Sequence, residues 1–125
     1  MTADILTPGH IRCIRYLEKR GELIIGLLDE KALKGYKNWV MSYQDRKFIL
    51  ESIESLWIKF KVVRQSSLNP EYNIRKYQCD AIASGDGWEK EELATINKYH
   101  LKKINIPFPK KYSSSKIKKL CQKEF

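Results

Sequence analysis

Residues 10–28, HIRCIRYLEKRGELIIGLL, decide how this chain folds. From His10 to Arg20 the side chains of Ile11, Cys13, Ile14 and Leu17 recur at three- and four-residue steps, basic residues fall between them, and Gly21 follows. An α-helix repeats every 3.6 residues, so this spacing gathers the apolar groups on one stripe, and the glycine supplies a stop. Leu23 to Leu28 then runs apolar without a break, which suits a strand covered on both faces in the interior of a parallel sheet. A helix leading straight into such a strand predicts an α/β architecture.

Downstream, Asp29 to Met41 is polar, carries Lys31, Lys34 and Lys37 around Gly35, and keeps no period, so a basic surface loop able to act as a lid is expected. Ser42 is placed to cap a helix through about Ser55, with Asp45 in its first turn and Phe48, Ile49, Ile53 and Leu56 along one face. Trp57 to Val63 alternates as a strand does, and a polar connection containing Asn69-Pro70 follows. Asp80 to Ser84 is a further strand before Gly85-Asp86-Gly87, Glu89 to Lys98 a helix, and Leu101 to Ile106 a strand. Three serines open a last helix from Ser113 to Lys123, with Ile117, Leu120 and Cys121 on one face. Helices and strands alternate throughout, as in a parallel sheet flanked by helices.

Upstream, Thr2-Ala3-Asp4-Ile5-Leu6-Thr7-Pro8-Gly9-His10 runs as a loop into the first helix. A helix N-terminus presents unpaired N–H groups and the positive end of its dipole, both suited to phosphate. Gly9 permits close backbone approach and His10 adds a donor. A Gly-His pair at a helix start is ordinary turn chemistry by itself, and the rest of the sequence must give it meaning.

With 125 residues, 42% of them hydrophobic, the chain fits one domain spanning residues 1–125, and at this size about two-thirds of the unfolded surface is buried. No apolar run reaches the ~18 residues that cross a bilayer, and the first residues lack a basic segment followed by an apolar core, so a cytoplasmic protein is expected. Cys13, Cys79 and Cys121 are odd in number and far apart, which argues against a disulfide framework or a zinc site. A net charge of +9 favours anionic partners. Charge alone would allow a nucleic-acid or acidic-membrane binder working through residues 110–123, but it leaves the ordered motifs unexplained.

Those motifs are Thr2 to His10, Tyr43-Gln44-Asp45-Arg46-Lys47 opening the second long helix, Gly85-Asp86-Gly87-Trp88-Glu89 after a strand, and Ser113-Ser114-Ser115-Lys116-Ile117-Lys118 opening the last helix. In this order they resemble the cytidylyltransferase-like nucleotidyltransferases, whose first signature runs Gly-Thr-Phe-Asp, two apolar residues, then His-x-Gly-His. The segment from Gly85 to Trp88 and the serine-rich helix start look most like the glycerol-3-phosphate cytidylyltransferase family.

The resemblance implies a Rossmann-like three-layer fold, a parallel sheet flanked by helices, and direct in-line transfer. His10 and Lys37 would be the catalytic groups. Nucleotide contacts would come from Thr2, Asp4, Thr7, Gly9, His10, Lys34, Asp86, Trp88, Ser113, Ser114 and Ser115, and acceptor contacts from Lys37 and Arg46. Magnesium would share the charge of a bound CTP or ATP, the acceptor would be a phosphorylated small molecule such as glycerol 3-phosphate, nucleic acid and membrane would not be partners, and the protein would be a homodimer.

Several positions depart from the family pattern. Thr7 replaces the first signature histidine, as it does in pantetheine-phosphate adenylyltransferase, which keeps an ATP-using enzyme of that, the FAD-forming or the heptose-phosphate type as the alternative. Gly87 stands where the subfamily has a second Asp, Phe108-Pro109-Lys110-Lys111 replaces an Arg-Thr pair, and Glu54 and Trp57 stand where a basic and an acidic residue are expected. Met1 occupies the signature glycine position, so the first central strand of the family fold is expected to be missing from the sheet, either because an upstream segment is absent from this chain or with its place taken by a rearranged strand or a partner chain.

Overall fold

The computed structural model describes residues 1–85, 87–107 and 114–124, with side chains as far as Leu120. Helix α1 spans Pro8–Glu18, with Thr7 as its N-cap and Pro8 at its first position, where the missing N–H costs nothing. Its fully buried Ile14 faces strand β1, Ile24–Leu28. The expected loop after β1 begins with one helical turn, α2 (Glu30–Leu33), because the Asp29 carboxylate accepts the Ala32 amide and caps it.

Helix α3 spans Tyr43–Ile53, and the Ser42 hydroxyl accepts the Asp45 amide at 3.2 Å. Its buried face is not the expected one. Tyr43, Arg46 and Leu50 turn inward, while Phe48 is 71% exposed and Leu56, beyond the helix, 85% exposed. The strand expected from Trp57 begins only at Lys61, because the Ser55 hydroxyl accepts the amides of Trp57 and Ile58 and winds this segment into a turn.

Strand β2 (Lys61–Gln65) pairs parallel with β1, Gly26 opposite Val63. The polar connection after it holds a short helix, α4 (Glu71–Lys76), whose first amide is accepted by the Asn69 side chain. Strand β3 (Ala81–Ser84), helix α5 (Lys90–Tyr99) and strand β4 (Lys102–Asn105) follow, β3 and β4 being parallel. Helix α6 spans Ser114–Glu124.

The main core lies where α1 and α3 meet β1 and β2. It is built from Ala3, Ile14, Ile25, Leu27, Tyr43, Leu50 and Phe60, with Leu6, Leu23, Ile53, Ile58 and Val62 packed around it. Leu27 and Leu50 are wholly buried, and each such side chain contributes about 1.5–3 kcal/mol. A smaller cluster of Leu28, Ala32 and Leu33 lies against Leu68.

Among the described residues the strands form two separate parallel pairs, β1–β2 and β3–β4, rather than one continuous sheet. On its side away from β2, where no further strand of the described residues stands, β1 is met by Met1 and by the Arg46 guanidinium. The Met1 amino group donates to the Gly26 carbonyl at 2.8 Å, and the Leu28 amide donates to the Met1 carbonyl at 2.9 Å.

Candidate active site

The segment from Thr2 to His10 leaves the β1 edge and enters α1, with Ala3 packed into the core in the left-handed region at φ 52°. Thr7 is buried, and its backbone amide donates to His10 Nδ1 at 2.9 Å, with its hydroxyl 3.0 Å from the same nitrogen. An imidazole nitrogen that accepts from an amide carries no proton, so in the neutral ring the proton resides on Nε2. The helix start thus sets the tautomer as well as the position of His10. Gly9 lies beside it, and a methyl group there would meet only Thr7 Oγ1 at 3.5 Å, an ordinary contact.

Asp4 is turned inward, its carboxylate wholly buried. Oδ2 accepts the Val40 amide at 2.5 Å and the Lys118 ammonium at 3.1 Å, and Oδ1 accepts the Met41 amide at 3.2 Å. Its direct partners are therefore the far end of the basic loop and helix α6. Arg46 is wholly buried as well. Its Nε donates to the Met41 carbonyl at 3.0 Å and its Nη1 to the carbonyls of Thr2 and Leu28, at 2.9 and 2.6 Å. The guanidinium thus joins signature turn, β1 and loop, while Nη2 is buried without a hydrogen-bond partner among the described residues. Arg46, expected as an acceptor contact, is instead a buried internal brace.

Lys34 and Lys37 are exposed on the loop after α2. The Lys37 ammonium sits 5.3 Å from the centre of the Tyr36 ring, and the Tyr36 hydroxyl donates to Glu89, the N-cap of α5, at 3.1 Å. The loop therefore reaches from the β1 side to the start of the helix after β3. Glu30 ties its near end to α3 by accepting the Tyr43 amide at 2.6 Å, and this hydrogen bond holds the Glu30 carboxyl below the usual range. Asp29 is likewise lowered. Burial raises it, but the Ser66 hydroxyl, the Ala32 amide and the Arg64 guanidinium together outweigh that effect.

Trp88 follows β3, and its indole N–H donates to the Asn105 side chain at the end of β4, at 2.9 Å, with the Lys103 ammonium 5.0 Å from the ring. Ser114 donates its hydroxyl to the Ile5 carbonyl, and Ser115 is exposed in the first turn of α6. Asp86 and Ser113, and the departure from the family pattern at residues 108–111, lie outside the described residues.

The structure thus brings the signature turn, the end of the basic loop and the start of α6 together around Asp4. Sequence reasoning missed Lys118 and Asn38 as members of this assembly, and Asn105 as the partner of Trp88. The available signal for Lys118 was its spacing: Ser114 and Lys118 are four residues apart, on one face of α6, and both reach the segment at Asp4 and Ile5. Among the described residues no group of three or more His, Cys, Asp and Glu side chains is arranged to hold a metal ion, and Asp4 is committed elsewhere. These residues do not fit a protein-held cation. No helix among them is long and apolar enough to cross a membrane.

The family model described as cytidylyltransferase-like matches residues 2–120. The glycerol-3-phosphate cytidylyltransferase of Bacillus spizizenii is 31% identical over 121 residues, covering 94% of this chain and 90% of that protein. Those of Staphylococcus aureus and Bacillus subtilis are 29% identical over 92 residues and 26% identical over 119 residues. The first alignment covers 72% of this chain and 68% of its relative, the second 94% and 89%. A family match across nearly the whole chain, together with a relative 31% identical over 94% of it, places this protein in the cytidylyltransferase-like family of nucleotidyltransferases.

Proposed function

We propose that the protein transfers CMP from CTP to a small phosphorylated acceptor, glycerol 3-phosphate in the first instance, and releases pyrophosphate. The observation that carries this reading is His10, whose Nδ1 is held by the Thr7 amide at the start of α1. An acceptor phosphate oxygen attacks the α-phosphorus, the bond from that phosphorus to the bridging oxygen breaks, and pyrophosphate leaves with the bonding electrons. Charge grows on the transferred phosphoryl oxygens during this step. The proton on His10 Nε2 meets it, and the α1 N-terminus beside Gly9 holds the adjoining phosphates.

Lys34 and Lys37 supply mobile positive charge from the loop, and Ser115 lies at the start of α6 for the outer phosphates. Magnesium enters with the triphosphate as its counter-ion, and no step runs through a metal held by the protein. The glycerol-3-phosphate relatives, aligned over most of their own lengths, support this acceptor. A cytoplasmic homodimer belongs to the same reading, to be tested by light scattering on the purified protein.

The deciding experiment is pyrophosphate release from the magnesium salts of CTP and ATP, each with glycerol 3-phosphate and a panel of other phosphorylated acceptors, with His10→Ala as control. Release from CTP with glycerol 3-phosphate, lost in the variant, is the expected result. Release from ATP alone would move the protein to the adenylyl-transferring branch, and no release with any pair would overturn the proposal.

A further inference from the structure

The Lys118 side chain is 17% exposed and makes two contacts that join different parts of the molecule. Its ammonium lies 3.1 Å from Asp4 Oδ2 and 3.1 Å from the Asn38 carbonyl. Asp4 in turn holds the amides of Val40 and Met41, and Arg46 holds the Met41 carbonyl. The far end of the basic loop is therefore gripped at Asn38, Val40 and Met41, and α6 is fastened to the signature turn twice, through Lys118 to Asp4 and through Ser114 to Ile5.

We propose that Lys118 is a positioning residue for nucleotidyl transfer, which sets the basic loop over the signature turn by neutralising Asp4 and holding Asn38. The inference rests on the nucleotidyl-transfer reading above. The Asp4 carboxylate is wholly buried. Two amide donors do not balance its charge, and a cation within hydrogen-bond distance does. With the ammonium removed, Asp4 gains by opening toward water, and the loop amides it holds are released with it. The carbonyl of Asn38 loses its donor in the same event. Lys34 and Lys37 stand one to four residues before Asn38, so a loosened anchor lets both cations wander from the phosphates. Reaction geometry tolerates little such misplacement. Because the same ammonium stands on the helix whose first turn carries Ser115, phosphate engagement at α6 and closure of the loop reinforce one another.

The test uses the full chain with Lys118→Met and, as conservative rescue, Lys118→Arg. Hydrogen exchange at the Val40 and Met41 amides is read first, since it needs no substrate. Losing a partly buried pair is expected to speed exchange at these two amides by about tenfold in Lys118→Met, with amides in the β1–β2 ladder unchanged and Lys118→Arg close to the parent. Tryptic cleavage after Lys34 and Lys37 should quicken in parallel. In the transfer assay, kcat is expected to fall by about tenfold with a smaller change in the nucleotide KM, and Lys118→Arg to recover most of it.

Unchanged exchange at Val40 and Met41 would overturn the proposal whatever the activity. Faster exchange with unaltered kcat would overturn the positioning role and leave a purely structural tie. A parent enzyme inactive with every substrate would sink the functional reading alone, because the exchange comparison would still decide whether Lys118 holds the loop. If Lys118→Met unfolds, Lys118→Gln, which keeps a donor for Asp4 without the charge, replaces it in the same measurements.

Discussion

At the scale of single residues, the fold and the chemistry make different demands, and Gly9 separates them. A methyl group there meets only the Thr7 hydroxyl oxygen at 3.5 Å, so the protein itself has no need of glycine at this position. Alanine in a helix is favoured over glycine by about 0.5–1 kcal/mol, so Gly9→Ala is expected to raise the melting temperature slightly while transfer falls by about tenfold or more through exclusion of the phosphates. Calorimetry beside the pyrophosphate assay checks this, and an active Gly9→Ala enzyme would mean that no phosphate approaches this backbone. Arg46 behaves in the opposite way. It donates to three carbonyls from a fully buried position, so Arg46→Met strands those acceptors and is expected to cost about 2–4 kcal/mol in denaturant unfolding. A plain phosphate contact on the surface would leave stability untouched. The sequence made the helix start at His10 legible, but it marked Arg46 as an acceptor contact and hid its bracing role. An arginine reads as solvent-facing by type, and only its backbone partners, supplied by three distant segments, reveal its place.

At the scale of elements, a buried arginine also displaces the reading of α3. Its inward stripe is Tyr43, Arg46, Leu50 and, partly buried, Ile53, whereas the apolar side chains alone point to a face of Phe48, Ile49, Ile53 and Leu56. Strands β1, β3 and β4 and helices α1, α5 and α6 were legible from periodicity and capping, since their signals are local. Helices α2 and α4 were not, being one to two turns long and too short for an apolar period. They are fixed by side chains just ahead of them, Asp29 and Asn69. The acidic cap has a measurable consequence. Asp29 titrates below its ordinary value in the folded chain, so its contribution to stability is complete above the unfolded carboxyl range and is lost as the pH falls through the folded value. Asp29→Asn removes the charge that faces Arg64 and one acceptor for Ala32 or Ser66, and is expected to cost about 1–2 kcal/mol near neutrality. The gap from the parent should close in acid, where both chains carry a neutral group. Urea unfolding across pH would record it, and a gap that persists at low pH would mean that shape rather than charge dominates at this position.

At the scale of the whole molecule, the question is what the two strand pairs present on their outer sides. Backbone groups of odd-numbered β1 residues face β2, as the bonds from Lys61 to Leu23 and from Asp29 to Gln65 show, and Gly26 and Leu28 face Met1. In β3 the even-numbered residues face β4, through the bonds from Lys102 to Asp80 and from Ile106 to Ser84. Parallel ladders alternate in this way along each strand, so the amides of Ile25, Leu27 and Ile82 have a neighbouring strand to protect them. Those of Ile24, Gly26, Ala81 and Ala83 point to sides where no further strand of the described residues stands. Exchange at the first group is expected to be slower than at the second by about tenfold or more, because opening a ladder bond costs part of the local stability, whereas an edge amide needs only access to water. Residue-resolved hydrogen exchange on the full chain reads the alternation directly. Equal protection on both sides would mean that another strand occupies those edges in solution, and repeating the measurement over a range of protein concentrations would tell a partner chain, whose protection fades on dilution, from a segment of the same chain, whose protection does not.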